Sequence, residues 1–435
     1  MNLFILKSVK IITLGCSKNL VDSEHIMRQL ELNGAQIISE EDNSQFIDLV
    51  AINTCGFIHD AKEESIATIF EEIAKKNDGN IGKIIVFGCL SERYRDELKR
   101  DIPEVDFFLG KFAFEDILKV LNLTFNPNKI HERVITTPSH YAYLKISEGC
   151  NRKCAFCAIP IITGKHKSVS IDELEKEARY LASKGVKELI LIAQDLNQFG
   201  SDKRPKKSLF ELLDRLSAID SIEWIRLQYL YPKGFPAKLP KYIADNPKIC
   251  HYIDIPFQHA SNKMLALMGR GHTNEDNLAI IKKLRKAIPN IAIRTTMITG
   301  FPGETTKDFE ALLQFVEEAK FDRLGAFMYS HEENTPAALK YKDTVSKKLK
   351  EKRLNQLMEL QEKISFEINM AKIGSIQKVL IDRMEGEFYI GRTQYDSPEV
   401  DNEVIINSNK KIEIGTFQNV KITDAQAFDL TGEFE

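Results

Sequence analysis

The chain has no marked excess of either charge. Its 435 residues include 60 Lys and Arg and 63 Asp and Glu, which gives a formal net charge of −3 at pH 7. Proteins whose main partner is nucleic acid are usually strongly basic, because phosphate contacts depend on Lys and Arg. The overall charge therefore gives no reason to expect a nucleic-acid-binding protein.

Long apolar segments are also absent from the sequence. No stretch approaches the run of about 18 apolar residues that indicates a membrane-spanning helix. Residues 1–10 carry only a short apolar patch and have neither the apolar core nor the cleavage site of a signal peptide. We therefore expect a cytoplasmic globular protein with no membrane association, long enough for about two to four domains.

The cysteines do not suit a disulfide framework. Their number is odd, and the chain is long and has no secretion signal, so metal ligation or catalysis is the better expectation. The alternative for an isolated cysteine is a buried, inert thiol, and this is the interpretation we favour for Cys250. Three of the others lie within eight residues, and for them the alternative fails. The seven are Cys16, Cys55, Cys89, Cys150, Cys154, Cys157 and Cys250.

The first 122 residues repeat one pattern three times. In each repeat an apolar strand runs into a cysteine, and a helix-like stretch follows in the first two. Alternating strands and helices predict a doubly wound parallel α/β domain. Because sites in such sheets form at the carboxyl ends of the strands, the three cysteines can converge there. The strands with their cysteines cover residues 8–16, 48–56 and 83–89.

A second alternating segment follows a linker at residues 122–138. We place this central domain at residues 138–372, where strand candidates again alternate with helices. Six strands fit a partial (β/α)6 barrel better than a complete barrel of eight, and the sequence does not decide between an open and a closed sheet. The strand candidates are residues 143–147, 188–193, 224–229, 252–255, 292–298 and 324–329.

The C-terminal segment, residues 373–435, has a different pattern. It follows a charged helix predicted at residues 346–372 and contains short β-type runs separated by turns. This pattern predicts a small antiparallel β-barrel. The runs are residues 376–381, 388–390, 404–406 and 419–422.

The loop at residues 149–157 carries the strongest chemical signal. It reads GCNRKCAFC, a C-x3-C-x2-C motif directly after a predicted strand. Three thiolates at this spacing can hold three irons of a [4Fe–4S] cluster and leave the fourth iron open to a substrate. A structural zinc site normally closes with four ligands instead. Phe156 either packs beside the cluster or is an ordinary loop aromatic.

This motif, with an aromatic residue before its last cysteine, resembles the signature of the radical S-adenosylmethionine (SAM) superfamily. The resemblance implies that Cys150, Cys154 and Cys157 ligate a [4Fe–4S] cluster whose open iron binds the amino and carboxylate groups of SAM. It also implies cleavage of SAM to a 5′-deoxyadenosyl radical, which takes hydrogen from unactivated carbon. The protein would contribute orientation and the exclusion of water.

The chain as a whole resembles the methylthiotransferase family within that superfamily. The resemblance covers the cysteine-bearing α/β domain, the radical SAM barrel and a C-terminal barrel like the TRAM domain. It implies a second [4Fe–4S] cluster on Cys16, Cys55 and Cys89, whose open iron holds the sulfur to be inserted. It implies no catalytic side chain beyond the cluster ligands. Three structural thiols at strand ends are the alternative.

The residues around the first cysteine indicate one branch of this family. GCSKNLVDSE at residues 15–24 resembles the RimO branch, and so do residues 192–195, 224–227 and 391–401. Members of that branch add a methylthio group to the β-carbon of an aspartate in small-subunit ribosomal protein number twelve. The resemblance also implies an electron donor such as flavodoxin or ferredoxin, and it leaves the sulfur donor unknown.

The C-terminal segment is acidic. Residues 376–435 contain six basic and twelve acidic residues, a net charge of −6. A barrel that binds an RNA backbone should be basic, whereas an acidic one suits a basic ribosomal protein; the alternative is that the charge only maintains solubility. We expect Glu399, Asp401 and Glu403 to contribute to docking, and nucleic acid not to be the direct substrate. The rivals are a methylthiotransferase acting on a tRNA adenosine and a scaffold with purely structural clusters.

Five residues of the central domain are weaker candidates. Arg226 and Arg294 could meet the carboxylate of SAM, and Asp195, at a strand end, could bind substrate or cofactor. Gly300 follows a strand that approaches the adenine in the superfamily, with a plain turn as the alternative. His259 either lines the cavity or is a hydrogen-bonded structural residue.

Overall fold

The computed structural model describes residues 6–42, 46–112, 114–408 and 410–435. The chain forms two compact units. The first unit comprises Met1–Thr136, Tyr143–Arg152 and Ala158–Leu181, and the second comprises Thr137–Ala142, Lys153–Cys157 and Ala182–Glu435. The C-x3-C-x2-C loop is therefore shared, with Cys150 in the first unit and the other two cysteines in the second.

The first unit begins with alternating strands and helices, as the three sequence repeats predicted. These are β1 (Ser8–Thr13), α1 (Ser17–Leu32), β2 (Gln36–Ile38), β3 (Ile47–Thr54), α2 (His59–Asn77), β4 (Ile81–Gly88), α3 (Cys89–Asp101), β5 (Phe107–Phe108) and α4 (Phe114–Val120). A 3-10 turn at Pro127–Lys129 follows, and then come β6 (Tyr141–Lys145), β7 (Ser147–Glu148), α5 (Ile159–Thr163), β8 (Lys167–Ser168) and α6 (Ile171–Ser183).

The N-terminal sheet is parallel and has the order β2-β1-β3-β4-β5. Its two faces are buried in separate apolar cores, one that includes Leu30 of α1 and Ile117 of α4, and another that includes Ile69 of α2 and Leu98 of α3. Helices thus cover both faces, as in a doubly wound fold. The edge strands β2 and β5 were not predicted from the sequence, because they are only three and two residues long.

The second unit contains strands β9 to β13 of the central sheet and a C-terminal barrel. Its elements are β9 (Glu188–Ile192), a 3-10 turn at Leu196–Gln198, α7 (Leu209–Ser217), β10 (Trp224–Leu227), α8 (Leu239–Asp245), β11 (Ile249–Asp254), α9 (Asn262–Leu267), α10 (Asn274–Ala287), β12 (Ala292–Thr299), α11 (Thr306–Ala319), β13 (Arg323–Met328), α12 (Pro336–Lys340), α13 (Lys347–Met370), β14 (Ile376–Glu385), β15 (Phe388–Thr393), β16 (Glu403–Asn407), β17 (Phe417–Ala425) and β18 (Asp429–Phe434).

The central sheet has the linear order β13-β12-β11-β10-β9-β6. Neighbouring strands from β9 to β13 pair in parallel. All six strands predicted from the sequence are present, and the sheet is an open partial barrel rather than a closed one. Among the residues that the structure describes, no helix is long and apolar enough to cross a bilayer.

The C-terminal segment closes into a five-stranded barrel with the order β14-β15-β16-β18-β17. Its core is built from alternating apolar residues such as Val379, Ile381, Val404 and Ile406, each fully buried. The small barrel was predicted correctly, but β18 was missed, and its parallel pairing with β16 means that the barrel is not antiparallel throughout as predicted. The sequence of β18, DLTGEF, contains a glycine and two acids, which weaken the alternating signal of a strand.

Buried ion pairs attach this barrel to one face of the central sheet. Asp396 accepts hydrogen bonds from the guanidinium of Arg323 on β13, at 3.0 Å from Nε. Asp401 accepts from Arg294 Nε at 3.2 Å and from the Tyr252 hydroxyl at 2.8 Å. The Asp396 and Asp401 side chains are each 1% exposed, so their charges are matched by the arginines of the sheet rather than by solvent.

A second set of buried charges lies beside the first. Glu188 on β9 accepts from Arg226 Nε at 2.7 Å and lies 2.9 Å from Arg392 of β15. Arg392 also donates to Asp382 at 2.6 Å. The Arg226, Arg392 and Glu188 side chains are at most 1% exposed. Such pairs contribute little net stability when complete, but removal of one partner is costly because it leaves a buried charge.

We predicted that Asp401 contributes to docking, which requires an exposed side chain. The structure contradicts that exposure. Asp401 is buried against Tyr252 and Arg294. Glu403 pairs with Arg383 at 2.6 Å, and Glu399 accepts from the Tyr141 hydroxyl at 3.2 Å. Part of the acidity of residues 376–435 serves the attachment of the barrel.

Replacing Asp396 by Ala tests this attachment. The change leaves Arg323 buried without its carboxylate, so the free energy of unfolding should fall by about 3–5 kcal/mol. Equilibrium urea denaturation, followed by circular dichroism, measures the loss. Glu387→Ala, at an exposed position of the same barrel, is the matched control and should change stability by less than about 0.5 kcal/mol. Equal small effects of both changes would contradict the electrostatic attachment.

Candidate functional site

The three N-terminal cysteines lie at one edge of the first sheet. Cys16 follows β1 and precedes α1, Cys55 follows β3, and Cys89 follows β4 as the first residue of α3. Glycines permit their close approach: a Cβ on Gly15 would lie 2.8 Å from Cys55 Cβ, and one on Gly56 would lie 2.9 Å from the carbonyl carbon of Cys89. The structure thus brings together three residues that are far apart in sequence.

The three thiols have different environments. Cys55 and Cys89 are buried, and burial raises the pKa of both thiols, that of Cys89 to about 12. Cys16 retains exposed surface. Its partly desolvated position favours the neutral thiol, but the cations Lys18 and Lys111 outweigh this and hold the pKa of Cys16 below its usual value. Deprotonation is therefore easiest at Cys16.

A buried lysine lies next to this cysteine edge. Lys111 Nζ is 3.2 Å from Asn19 Oδ1, 3.3 Å from Asp22 Oδ2 and 3.8 Å from Glu148 Oε2. Burial lowers the pKa of Lys111, but Asp22 and Glu148 outweigh that effect and raise it above the usual value. Lys111 is thus a permanent positive charge, which favours an anionic group at the edge.

The cysteine edge borders the chain on both sides of the C-x3-C-x2-C loop. Cys89 packs against Ala158 and Ile162, which follow the loop. Glu148, the partner of Lys111, precedes Cys150 by two residues. The Cys150 amide donates to the Gly164 carbonyl at 3.1 Å, which closes the loop at its base. These contacts lie within the first unit.

Within the second unit, Cys154 has two polar neighbours that the sequence analysis missed. Arg270 Nη1 lies 3.2 Å from Cys154 Sγ, and the Tyr231 hydroxyl lies 3.4 Å from the same sulfur. All three residues are buried. Arg270 lies between two glycines of positive φ, Gly269 and Gly271, a pattern that indicates a tight loop but does not reveal what the arginine contacts.

The donor sets fit iron–sulfur clusters better than single ions. Six cysteines in two groups of three present only sulfur, which is the normal donor for such clusters. Among the described residues, no three His, Cys, Asp or Glu side chains converge closely enough to hold one ion. A single zinc ion would need its sulfurs at about 2.3 Å, whereas a cubane of four irons spreads its thiolates over different metal atoms.

The structure gives Arg226 and Arg294 protein partners. Arg226 is fully buried, donates to Glu188, and reaches the Gln394 carbonyl at 2.8 Å. Arg294 pairs with Asp401 and lies 3.6 Å from Asp254. Their binding of a cofactor carboxylate stays a prediction, and the geometry supports a role in holding the C-terminal barrel.

Three other candidates also have structural roles. A Cβ on Gly300 would lie within 3.0 Å of Lys350 Cδ, so the close approach of Lys350 requires a glycine there. Asp195 caps the 3-10 turn by accepting from the Asn197 amide at 3.0 Å. His259 is fully buried, and its Nδ1 accepts from the Ala260 amide at 2.9 Å. Contacts of Gly300 and Asp195 with cofactor remain predictions.

Phe156 and Cys250 each pack within an apolar cluster. Phe156 packs against a core cluster that contains Met268, Phe301 and Tyr329, which is compatible with either interpretation of this residue. Cys250 is 1% exposed, and burial raises the pKa of its thiol to about 12. Its environment supports the inert role that the sequence indicated.

Among the solved structures that resemble this fold are two radical S-adenosylmethionine enzymes. The radical S-adenosylmethionine methyltransferase TsrM from Kitasatospora setae, with tryptophan and a SAM analogue bound, superposes with a TM-score of 0.58 at 12% identity, covering 87% of this chain and 79% of that chain. The cobalamin-dependent S-adenosylmethionine radical enzyme OxsB, in its apo form, gives a TM-score of 0.54 at 13% identity, covering 82% of this chain and 56% of that chain. At these identities the likeness concerns the fold.

Three protein-family models match successive parts of the chain. The radical SAM superfamily matches residues 144–316, Uncharacterized protein family UPF0004 matches residues 8–110, and the TRAM domain matches residues 373–434. Since the radical SAM superfamily uses a [4Fe–4S] cluster and SAM, these two cofactors follow for this chain as well. The three matches agree with the order of folds seen in the structure.

Curated relatives match almost the full length. The ribosomal protein uS12 methylthiotransferase RimO of Bacteroides thetaiotaomicron is 52% identical over 425 residues, covering 98% of this chain and 97% of the relative. The proteins of the same name from Cytophaga hutchinsonii and Flavobacterium johnsoniae are 53% and 50% identical, each again covering 98% of this chain and 97% of the relative. The chain therefore belongs to the RimO family of radical SAM methylthiotransferases.

Proposed function

We propose that this protein adds a methylthio group to the β-carbon of an aspartate in ribosomal protein uS12, using two [4Fe–4S] clusters. One observation carries the proposal. In the first unit, the edge with Cys16, Cys55 and Cys89 adjoins the segments on both sides of the C-x3-C-x2-C loop. Transfer of sulfur to a carbon radical requires a sulfur store close to the place where the radical forms, and the contacts of the edge with these two segments support such a store.

The two groups of cysteines would have separate tasks. Cys150, Cys154 and Cys157 would hold the cluster that binds SAM, and when bound these cofactors supply the radical chemistry that removes hydrogen from an unactivated carbon. The three N-terminal cysteines would hold the second cluster. Lys111 would offset its negative charge, since this buried cation lies beside the cysteine edge.

The partners follow from the same proposal. Acidic residues remain exposed on the C-terminal barrel and suit a basic ribosomal protein. We also infer a cytoplasmic location, where ribosomal proteins are made, and an electron donor such as flavodoxin or ferredoxin; the sulfur donor stays open. The exposed acids are Glu385, Glu387, Glu399, Glu413, Asp424, Glu433 and Glu435.

Removing the N-terminal cysteines tests the division of labour. In the variant with Cys16, Cys55 and Cys89 changed to Ala, anaerobically reconstituted protein should keep about four of about eight irons. It should still cleave SAM but form no methylthiolated product. Iron analysis and chromatography of 5′-deoxyadenosine measure the two properties. Cys250→Ala is the matched control and should keep all of the iron. Loss of both activities in a folded triple variant would contradict the separate roles.

Gly56→Ala tests the convergence of the cysteine edge without removing a thiol. The new Cβ would lie 2.7 Å from Leu90 Cα, so the segments of Cys55 and Cys89 must move apart. We expect iron to fall to about half, with cleavage of SAM retained. Gly325→Ala is the control, because its Cβ would meet only Arg294 Nη2 at 3.8 Å. Full iron content in a folded Gly56→Ala protein would argue against the second cluster at this edge.

The substrate assignment is tested by product analysis. The reconstituted enzyme with a reductant and SAM is offered recombinant uS12 and tRNA in separate reactions. Mass spectrometry should find one CH2S unit added to an aspartate of uS12 and no change in the tRNA adenosines. A methylthiolated adenosine with unmodified uS12 would transfer the assignment to tRNA.

A further inference from the structure

The environment of Cys154 offers an inference that concerns redox control. We propose that Arg270 and Tyr231 hydrogen-bond to the iron-bound sulfur of Cys154 and thereby raise the reduction potential of the SAM-binding cluster. The inference rests on the proposed role of Cys154 as an iron ligand. Arg270 and Tyr231 act through this ligand and are positioning residues, not catalytic ones.

The position of Arg270 is fixed from several sides. Its guanidinium carbon lies 4.1 Å from the centre of the Tyr231 ring, and its Nη2 donates to the Pro256 carbonyl. The side chain is 4% exposed. These contacts leave Nη1 directed at Cys154 Sγ, at 3.2 Å. A guanidinium has no acceptor and does not lose its proton, so it is always the donor in this contact.

The backbone holds the arginine loop against the cysteine loop. The Ala155 amide donates to the Met268 carbonyl at 2.8 Å, and a Cβ on Gly269 would lie 2.5 Å from the Lys153 carbonyl oxygen. The two loops are thus in direct contact on both sides of Cys154. The Arg270–Cys154 contact is consequently built into the backbone geometry and does not depend on a flexible side chain at the surface.

The hydrogen-bonding role of the Tyr231 hydroxyl depends on whether the sulfur of Cys154 is a protonated thiol or an iron-bound thiolate. Its hydroxyl donates to the Arg270 carbonyl at 2.9 Å, and Cys154 Sγ is 3.4 Å away. A protonated thiol can donate to the hydroxyl oxygen. An iron-bound thiolate carries no proton, so the hydroxyl can bond to it only by turning its single proton from the Arg270 carbonyl to the sulfur. In that orientation both Arg270 and Tyr231 would be donors to the sulfur in the loaded enzyme, with Arg270 the permanent one.

Donors to a cluster sulfur favour the reduced state. Reduction by one electron makes the cluster and its thiolates more negative, and a hydrogen bond from a buried cation stabilises that charge. Because SAM is cleaved only by the reduced cluster, Arg270 would ease electron entry from a biological donor of moderate potential.

The test is a redox titration of the full-length protein in the Cys16, Cys55 and Cys89 to Ala background, so that one cluster is observed. Electron paramagnetic resonance reports the reduced fraction. Arg270→Met should lower the reduction equilibrium constant about tenfold or more, a shift of ~59 mV for one electron. Tyr231→Phe should shift it in the same direction by less, and Arg270→Lys should restore part of the loss because it keeps the charge.

Arg285→Met is the matched control. Arg285 also donates to two backbone carbonyls, those of Ala319 and Lys320, but has no cysteine contact. Its replacement should leave the potential unchanged. If Arg270→Met binds no iron, Arg270→Lys and Tyr231→Phe carry the measurement. A change of less than twofold in every Arg270 and Tyr231 variant that retains iron would overturn the inference. Absence of iron from the parent protein would instead contradict the proposed ligands.

Discussion

A parallel sheet delivers the carboxyl ends of all its strands to one edge, and the chemistry of this protein depends on that constraint. Cys16, Cys55 and Cys89 are separated by more than thirty residues each, yet they meet because β1, β3 and β4 run side by side in the same direction. Close approach then needs small residues, which is why a glycine stands beside each of the three cysteines. A different strand order would separate the three thiols in space even though no cysteine had been replaced.

Several buried cations in this protein lie next to fixed partners. Lys111, Arg270 and, in the central sheet, Arg226 and Arg323 are buried, and each has a fixed partner or a sulfur nearby. Buried cations of this kind keep their charge only where anions offset the cost of removing them from water. Around the cysteines, these cations would favour the anionic clusters that we propose there. Between sheet and barrel, they hold two folds together.

The sequence was sufficient for the order of folds, because periodicity and cysteine spacing are local signals. It predicted all six central strands and the convergence of the N-terminal cysteines. It did not reveal the role of side chains whose contacts are with residues distant along the chain. Asp401 looked like a surface acid because nothing local indicates that it meets Arg294, 107 positions earlier. Nothing local indicates either that Arg226 meets Gln394, 168 positions later. Arg270 was overlooked for the same reason, since it contacts a cysteine 116 residues earlier in the chain.

The attachment of the C-terminal barrel affects when the chain can fold during translation. Arg323 precedes its partner Asp396 by 73 residues, and Arg294 precedes Asp401 by 107. During synthesis from the N-terminus, the arginines leave the ribosome well before the carboxylates that neutralise them. The central sheet therefore cannot reach its final packing until translation is nearly complete. A chain shortened by its last sixty residues would expose these cations and be open to proteolysis, so the ribosome must finish this enzyme before it can fold fully.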